Sequence, residues 1–163
     1  MKRNSKGFTL IELLIVVAII GIIVAIAIPN LLNAIQRAKQ RRTMGDMRSA
    51  ATAVEAYAVD LNRYPPAAGN YDLPIALGAT TMSVVKAYIS PTYIKSAPMA
   101  DGWNSWFMYN IDATGNAYVF GSNGKDGVLQ IAGTTALGPT TDFNADIIFS
   151  NGSFLQWPEG VQR

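Results

Sequence analysis

The chain of 163 residues contains no cysteine and no histidine. Without cysteine there is no disulfide framework, no thiolate nucleophile and no Cys-ligated metal, and the redox compartment cannot be read from cysteine usage. Without histidine there is no Ser-His-Asp triad, no Cys-His dyad and no imidazole zinc site. An enzyme built on this chain would have to work with carboxylates, Lys or Tyr alone, and no spacing of those groups suggests a reaction; the chain reads as a non-enzyme. Charge is also scarce, with 13 Lys and Arg against 11 Asp and Glu. Three of those cations (Lys2, Arg3, Lys6) lie in the first six residues, which leaves ten against eleven in the remainder. A nucleic-acid partner is not expected, since it needs a basic stripe. The single basic cluster, Arg37, Lys39, Arg41 and Arg42, is either a solvated helix face near a membrane or a contact for phospholipid headgroups or acidic neighbours.

What the chain does have is one long apolar run. From Phe8 to Ile28 the only charge in 21 residues is Glu12. At 1.5 Å per residue a helix of that length spans roughly 30 Å, one hydrocarbon core. A carboxylate inside such a segment is expensive, so Glu12 is expected to have a partner and a role. The residues admit three readings of this N-terminus. A secretory signal would use the basic start and Ala25-Ile26-Ala27 as its cleavage site. A plain membrane anchor fits the length but gives Glu12 no role. A processed and assembling helix gives it one.

Beyond Pro29, which can end or kink a helix, the pattern continues. Met44, Met47, Ala51, Val54, Ala58 and Leu61 recur at steps of 3, 4, 3, 4 and 3, the stripe of a half-buried helix. Pro65-Pro66 closes it near Leu61–Tyr64. Residues 65–98 are rich in Pro, Gly, Ala and Thr; Ser83–Ile89 is expected as a short helix or turn, and "SPTYIKSAP" as extended chain between breakers. From Trp103 the composition turns aromatic. "WFMYNI" and "AYVFGS" around Asp112–Asn116 predict one β-hairpin, and Ile147–Phe149 with Phe154–Trp157 around Asn151-Gly152 predict a second. The fold class expected is α+β, a long N-terminal helix packed on a small antiparallel sheet.

"KGFTLIELLIVVAIIGIIVAIAIPN" closely resembles the N-terminus of the type IV pilin and pseudopilin superfamily, and the architecture just described is type IV pilin-like. The resemblance implies cleavage by a prepilin peptidase after Gly7, with Phe8 as the new, N-methylated first residue. Glu12 falls where the family carries its glutamate. There it pairs with the N-terminal amine of the next subunit, and two charges that are each costly in an apolar medium become less so together. Gly21 and Pro29 also match the family, whose filaments have a melted stretch in that region. The domains implied are a leader at 1–7, a transmembrane and filament-core helix at 8–28, an amphipathic helix at 29–64, and a globular domain at 65–163.

The C-terminal half is most similar to the major pseudopilin of type II secretion systems. Asp101, Trp103 and Tyr109 of "DGWNSWFMY" match its Asp-Pro-Trp-Gly-Asn-Pro-Tyr-x-Tyr segment, while Gly102, Asn104 and Trp106 depart from it. "SNGKDG" (Ser122–Gly127) fits its Ser-x-Gly-x-Asp-Gly turn, and "NADI" (Asn144–Ile147) fits the Ala-Asp-Ile that follows. Val128–Phe143, between them, lacks the family's Gly-Gly-Glu character. The resemblance is tight over 1–65, patchy over 100–150 and weak over 66–100. It implies a structural calcium ion as cofactor, with Asp126 and Asp146 as ligands, Ser122 a lesser one, and Asp142 added by proximity in sequence. The loop is not an EF-hand, because position 12 counted from Ser122 is Gly133. The alternative leaves Asp126-Gly127 as a turn and Asp142 and Asp146 as caps, and the sequence leaves both open.

The function implied is a structural subunit of a type II secretion pseudopilus that drives proteins across the outer membrane. The alternative is a major or minor subunit of a type IV pilus for adhesion, motility or DNA uptake. The partners implied are further copies in a helical filament, an inner-membrane assembly platform, the prepilin peptidase, minor pseudopilins or pilins, and membrane lipid before assembly. The location implied is the inner membrane, spanned once, with the globular domain in the periplasm.

Overall fold

The computed structural model describes residues 7–67, 80–130 and 137–160. The leader up to Lys6, and parts of the two loops discussed above, lie outside the described residues. The chain divides into two compact units, Met1–Ile35 and Gln36–Arg163. The elements in order are α1 (Leu10–Leu61), β1 (Thr80–Thr81), α2 (Met82–Ile89), β2 (Met108–Ile111), β3 (Tyr118–Ser122), β4 (Pro139–Thr140), β5 (Ile147–Ser150) and β6 (Ser153–Pro158).

In the first unit α1 is apolar on every side. Its large side chains are all exposed, from Leu10 at 75% to Ile35 at 42%. A helix apolar all round belongs in lipid or among other helices. This stretch is long and apolar enough to cross a membrane. Pro29 stands inside the helix and lacks the N–H that would bond four residues back. Asn30 Nδ2 donates to the Ile26 carbonyl at 3.2 Å, an added bond at the turn Pro29 weakens.

In the second unit α1 changes to a one-sided pattern. Gln40, Thr43, Met47, Ala50, Ala51, Ala53, Val54 and Tyr57 are buried. The expected stripe holds at Met47, Ala51 and Val54, while Met44 and Ala58 are half-buried. Leu61 departs from it at 51% exposed, because the helix ends there. The three buried alanines, Ala50, Ala51 and Ala53, let the helix lie close to the aromatic face of the sheet. That face supplies Phe107, Tyr109, Tyr118, Phe120 and Phe149.

The sheet has six strands in the order β1-β2-β3-β5-β6-β4. Both expected hairpins form. In the first, Tyr109 faces Phe120 across β2 and β3, and Asp112 closes the turn by accepting from Asn116 N at 2.8 Å and Ala117 N at 3.0 Å. In the second, Asn151 and Gly152 have φ of +45° and +89°, the left-handed pair that a two-residue hairpin turn needs. The sheet is not wholly antiparallel as expected: β4 runs parallel to β6. Strands as short as β1 and β4 carry too few residues for an alternating pattern, so the sequence hides them. "SPTYIKSAP" also differs from expectation. It opens in a turn, with Tyr93 N and Ile94 N both donating to the Ile89 carbonyl at 2.9 and 3.1 Å. Pro91 stops α2, and the last carbonyls of the helix then capture the following amides.

The central strand β3 is buried along its whole length. Tyr118 and Phe120 face α1, while Val119 joins Ile148 on the other face beneath Met108, Leu129, Leu137 and Leu155. Leu129 and Leu137 therefore lie over the second face of the sheet.

Candidate functional site

At the helix start, Thr9 and Glu12 bond reciprocally. Thr9 N and Thr9 Oγ1 both donate to Glu12 Oε2, at 2.8 and 2.7 Å, and Glu12 N donates to Thr9 Oγ1 at 3.3 Å. This is a capping box, which satisfies amides that the first helical turn otherwise leaves bare. The T-x-x-E spacing in "FTLIE" is the sequence signal for this box. Glu12 thus has a local partner in the uncleaved chain. Gly7 and Phe8 precede the helix and are exposed, Phe8 at 77%.

In the C-terminal loop the implied calcium ligands occupy different environments. Asp126 is exposed; its Oδ1 accepts from Val128 N at 3.0 Å and its Oδ2 from Gln130 Nε2 at 3.0 Å. Asp146 is fully buried and its Oδ2 accepts from Gln130 N at 2.9 Å. Gln130 therefore touches both carboxylates. Asp142 is exposed and caps its own turn, accepting from Asn144 N at 2.9 Å. Ser122 is turned elsewhere: its hydroxyl donates to Asp101 Oδ2 at 2.6 Å. Among the described residues no three acidic side chains gather. The donor set of hard oxygens around Asp126 and Asp146 suits Ca²⁺, whose remaining ligands would be backbone carbonyls and water. Gly124, at φ +64°, belongs to this loop, and a Cβ there would stand 2.4 Å from the Asn144 carbonyl oxygen. Glycine is what lets 122–127 lie directly on 144–146.

The organiser that sequence reasoning undervalued is Asp101, 3% exposed. Its Oδ1 accepts from Trp103 N and Ser105 N, each at 2.9 Å, while its Oδ2 holds Ser122. One carboxylate so ties the 101–105 loop to the end of β3. That loop also docks on α1. Trp103 Nε1 donates to Gln36 Oε1 at 2.7 Å, and Gly102 N donates to Thr43 Oγ1 at 2.9 Å. A Cβ on Gly102 would stand 2.5 Å from the Lys39 carbonyl oxygen. Gly102 replaces the proline of the similar family segment. A proline has no N–H to give Thr43, so the departure goes with a bond that this chain makes and a proline could not. At the other end of the second unit, Tyr118 OH donates to Glu55 Oε1 at 2.7 Å. Burial and that carboxylate push the Tyr118 hydroxyl far above the ordinary tyrosine value, and burial does the same to Tyr109.

Residues 2–28 match the prokaryotic N-terminal methylation motif, and residues 30–137 match the family described as type II secretion system (T2SS), protein G. A type II secretion system core protein G from Aeromonas hydrophila is 31% identical over 126 residues, covering 77% of this chain and 87% of that protein. Its counterpart in Escherichia coli K12 is 31% identical over 127 residues, covering 77% and 86%. A type IV wide pilus major component, PilA4 of Thermus thermophilus, is 44% identical over 91 residues, covering 52% of this chain and 67% of that protein. The pilin likeness is higher and shorter; the secretion likeness is lower and longer, and the family match reaches into the sheet past β3 and ends before β4. With its methylation motif, its apolar helix start and a match that extends from α1 into the C-terminal loop, the chain belongs to the family of type II secretion system protein G, the major pseudopilins.

Proposed function

We propose that this chain is the main structural subunit of a type II secretion pseudopilus. It is inserted once in the inner membrane, cut by the prepilin peptidase after Gly7, and taken by an assembly platform into a helical filament whose core is the 8–28 helix. The globular part stands in the periplasm, minor pseudopilins join the same filament, and growth of the filament drives exported proteins outward. The observation that carries this reading is the family match over 30–137, which reaches past the helix into the sheet. Glu12 has the assembling role. Once cleavage makes Phe8 the first residue, its cationic amine lies near the apolar phase, and the Glu12 carboxylate of a neighbouring subunit offsets it. Glu12→Val should insert in membranes normally and lose filament assembly; normal filaments from that variant would sink this role.

A deletion strain tests the whole reading. Exported proteins should accumulate in the periplasm while surface pili persist. Loss of pili with secretion intact would instead favour the type IV pilus reading, which the 44% identity to the Thermus pilin supports. Absence of cysteine, and so of a C-terminal disulfide loop, favours the pseudopilin.

A structural calcium ion between Asp126 and Asp146 belongs to the same proposal. Its weight rests on the buried carboxylate of Asp146 and on Gln130, which bonds to both groups. The full chain in detergent should melt higher with Ca²⁺ than with chelator, and Asp126→Ala should remove the difference. An unchanged transition in the parent protein would reject the ion.

A further inference from the structure

The function proposed above leaves the basic cluster without a task. After Glu12 the next charge in the chain is Arg37, 24 uncharged residues later, and four cations then fall within six positions. No acid appears between Glu12 and Asp46. About 20 helical residues cross a hydrocarbon core, so these cations begin close to headgroup level on the far side. That is the side where Lys and Arg are normally scarce, and their presence there calls for a compensating gain.

The four are not equivalent. Arg42 pairs with Asp46 at 3.4 Å. Lys39 is half-buried beneath Gly102. Arg37 and Arg41 are exposed and four residues apart on one helix face. Together with Gln40 and Met44 they line a groove of about 320 Å³, whose other wall is Pro158 at the end of β6 with Glu159 and Gly160 after it. Among the described residues, two guanidinium groups against one carboxylate leave the groove net positive. Two tryptophans are attached beside this groove: Trp103 bonds to Gln36, next to Arg37, and Trp157 precedes the wall residue Pro158. Tryptophan is enriched at membrane–water interfaces. The described tyrosines Tyr57, Tyr64, Tyr93 and Tyr118 instead contact one another or the C-terminal turns of α1.

We propose that the Arg37–Arg41 groove binds the phosphate of an anionic phospholipid in the leaflet beneath the globular unit, seating that unit on the membrane until the subunit enters a filament. The proposal rests on the reading of residues 8–28 as a membrane span. Guanidinium forks suit a phosphodiester, which they can bind in pairs of parallel hydrogen bonds. Each basic residue near an anionic surface should enrich anionic lipid about fivefold.

The test uses the full chain in vesicles of phosphatidylcholine with a minority of phosphatidylglycerol, and intrinsic tryptophan fluorescence as the readout. Bromine quencher is placed on the acyl chains of one lipid or the other, at equal mole fraction. The brominated phosphatidylglycerol should quench more strongly. Added salt should reduce that preference, and R37Q/R41Q should abolish it while the variant stays in the vesicles through an alkaline wash. Inorganic phosphate at the concentration of the lipid should not displace the preference; if it does, the groove is a free-phosphate site and the lipid proposal fails. Equal quenching by the two brominated lipids overturns the proposal and leaves the membrane span standing. A preference that survives R37Q/R41Q overturns it too. If such a variant also stops forming filaments, the groove takes an acidic face of a second copy. Loss of the parent chain from the vesicles on the alkaline wash would refute the membrane span itself.

Discussion

The two halves of α1 share a backbone conformation and almost nothing else. From Leu10 to Ile35 every large apolar side chain is exposed, and from Gln40 to Tyr57 one face is buried against Phe107, Tyr109, Phe120 and Phe149. The second half finds its apolar partners within its own chain. The first half has none among the described residues and must take them from lipid or from other copies. A chain of this kind holds two separate stabilities, one for the folded unit and one for the helix in its surroundings. Substitutions should therefore affect one and spare the other.

A single carboxylate placed in each half would break or uphold that separation. Val54 is 2% exposed in the core, and Val54→Asp should destabilise the folded unit by about 3–5 kcal/mol, the cost of an uncompensated buried charge. Denaturant unfolding of the full chain in detergent would show it as a lower midpoint. Ile19 is 52% exposed. Ile19→Asp should leave that midpoint within experimental scatter and oppose membrane insertion by about 3–4 kcal/mol, the cost of the aspartate plus the lost isoleucine. If Ile19→Asp lowered the unfolding midpoint as far as Val54→Asp, the two halves would form one cooperative structure and the comparison would fail.

How much of this could be read in advance follows the same division. The apolar run, the period of the buried stripe and the Asn151-Gly152 turn are local signals, and the elements they announce all form. The two-residue strands β1 and β4 are held by their neighbours rather than by their own residues, and no pattern marks them. The turn after α2 was misread as extended chain because its bonds go back to the Ile89 carbonyl, and no residue type signals that. At the sites, Glu12 was legible as an anomaly but its bond to Thr9 was missed. Asp126 and Asp146 could be chosen by motif, whereas the capture of Ser122 by Asp101 spans 21 positions and is a tertiary fact.

Asp101 and Asp126 sharpen the comparison within the second unit, since both lie in loops and only one is structural by its contacts. Asp101→Ala leaves Trp103 N, Ser105 N and the Ser122 hydroxyl without their acceptor at a site 3% exposed. Lost bonds to a charged acceptor together with bare donors should cost about 2–4 kcal/mol. Asp126 is exposed, and in chelator Asp126→Ala should change stability by no more than about 0.5 kcal/mol. Equal losses in chelator would show that the exposed loop carries structural load of its own. Gly102→Ala should fall between the two, about 1–3 kcal/mol, because the Lys39 carbonyl cannot retreat without moving the helix.

The most selective effect comes from the tyrosines. Tyr109 and Tyr118 ionise far above their ordinary value of 10.0, because burial excludes the phenolate and, for Tyr118, Glu55 holds the hydroxyl proton. A raised folded value means that the native state keeps protons which the unfolded chain releases. The stability so linked is fully present below pH 10 and is lost as pH rises beyond it. Unfolding free energy should then be flat between neutral pH and about pH 10, and above it fall with a slope approaching about two protons per molecule. Tyr118→Phe should reduce that slope by about one proton. At neutral pH it should also cost the Glu55 bond, about 1.5–3 kcal/mol for a charged acceptor before screening at this partly exposed carboxylate. Insertion of the 8–28 helix should not change between Tyr118→Phe and the parent chain at any pH tested. The tyrosines lie only in the half of the molecule that packs on itself, so an alkaline transition that altered insertion would show that the two stabilities are coupled after all.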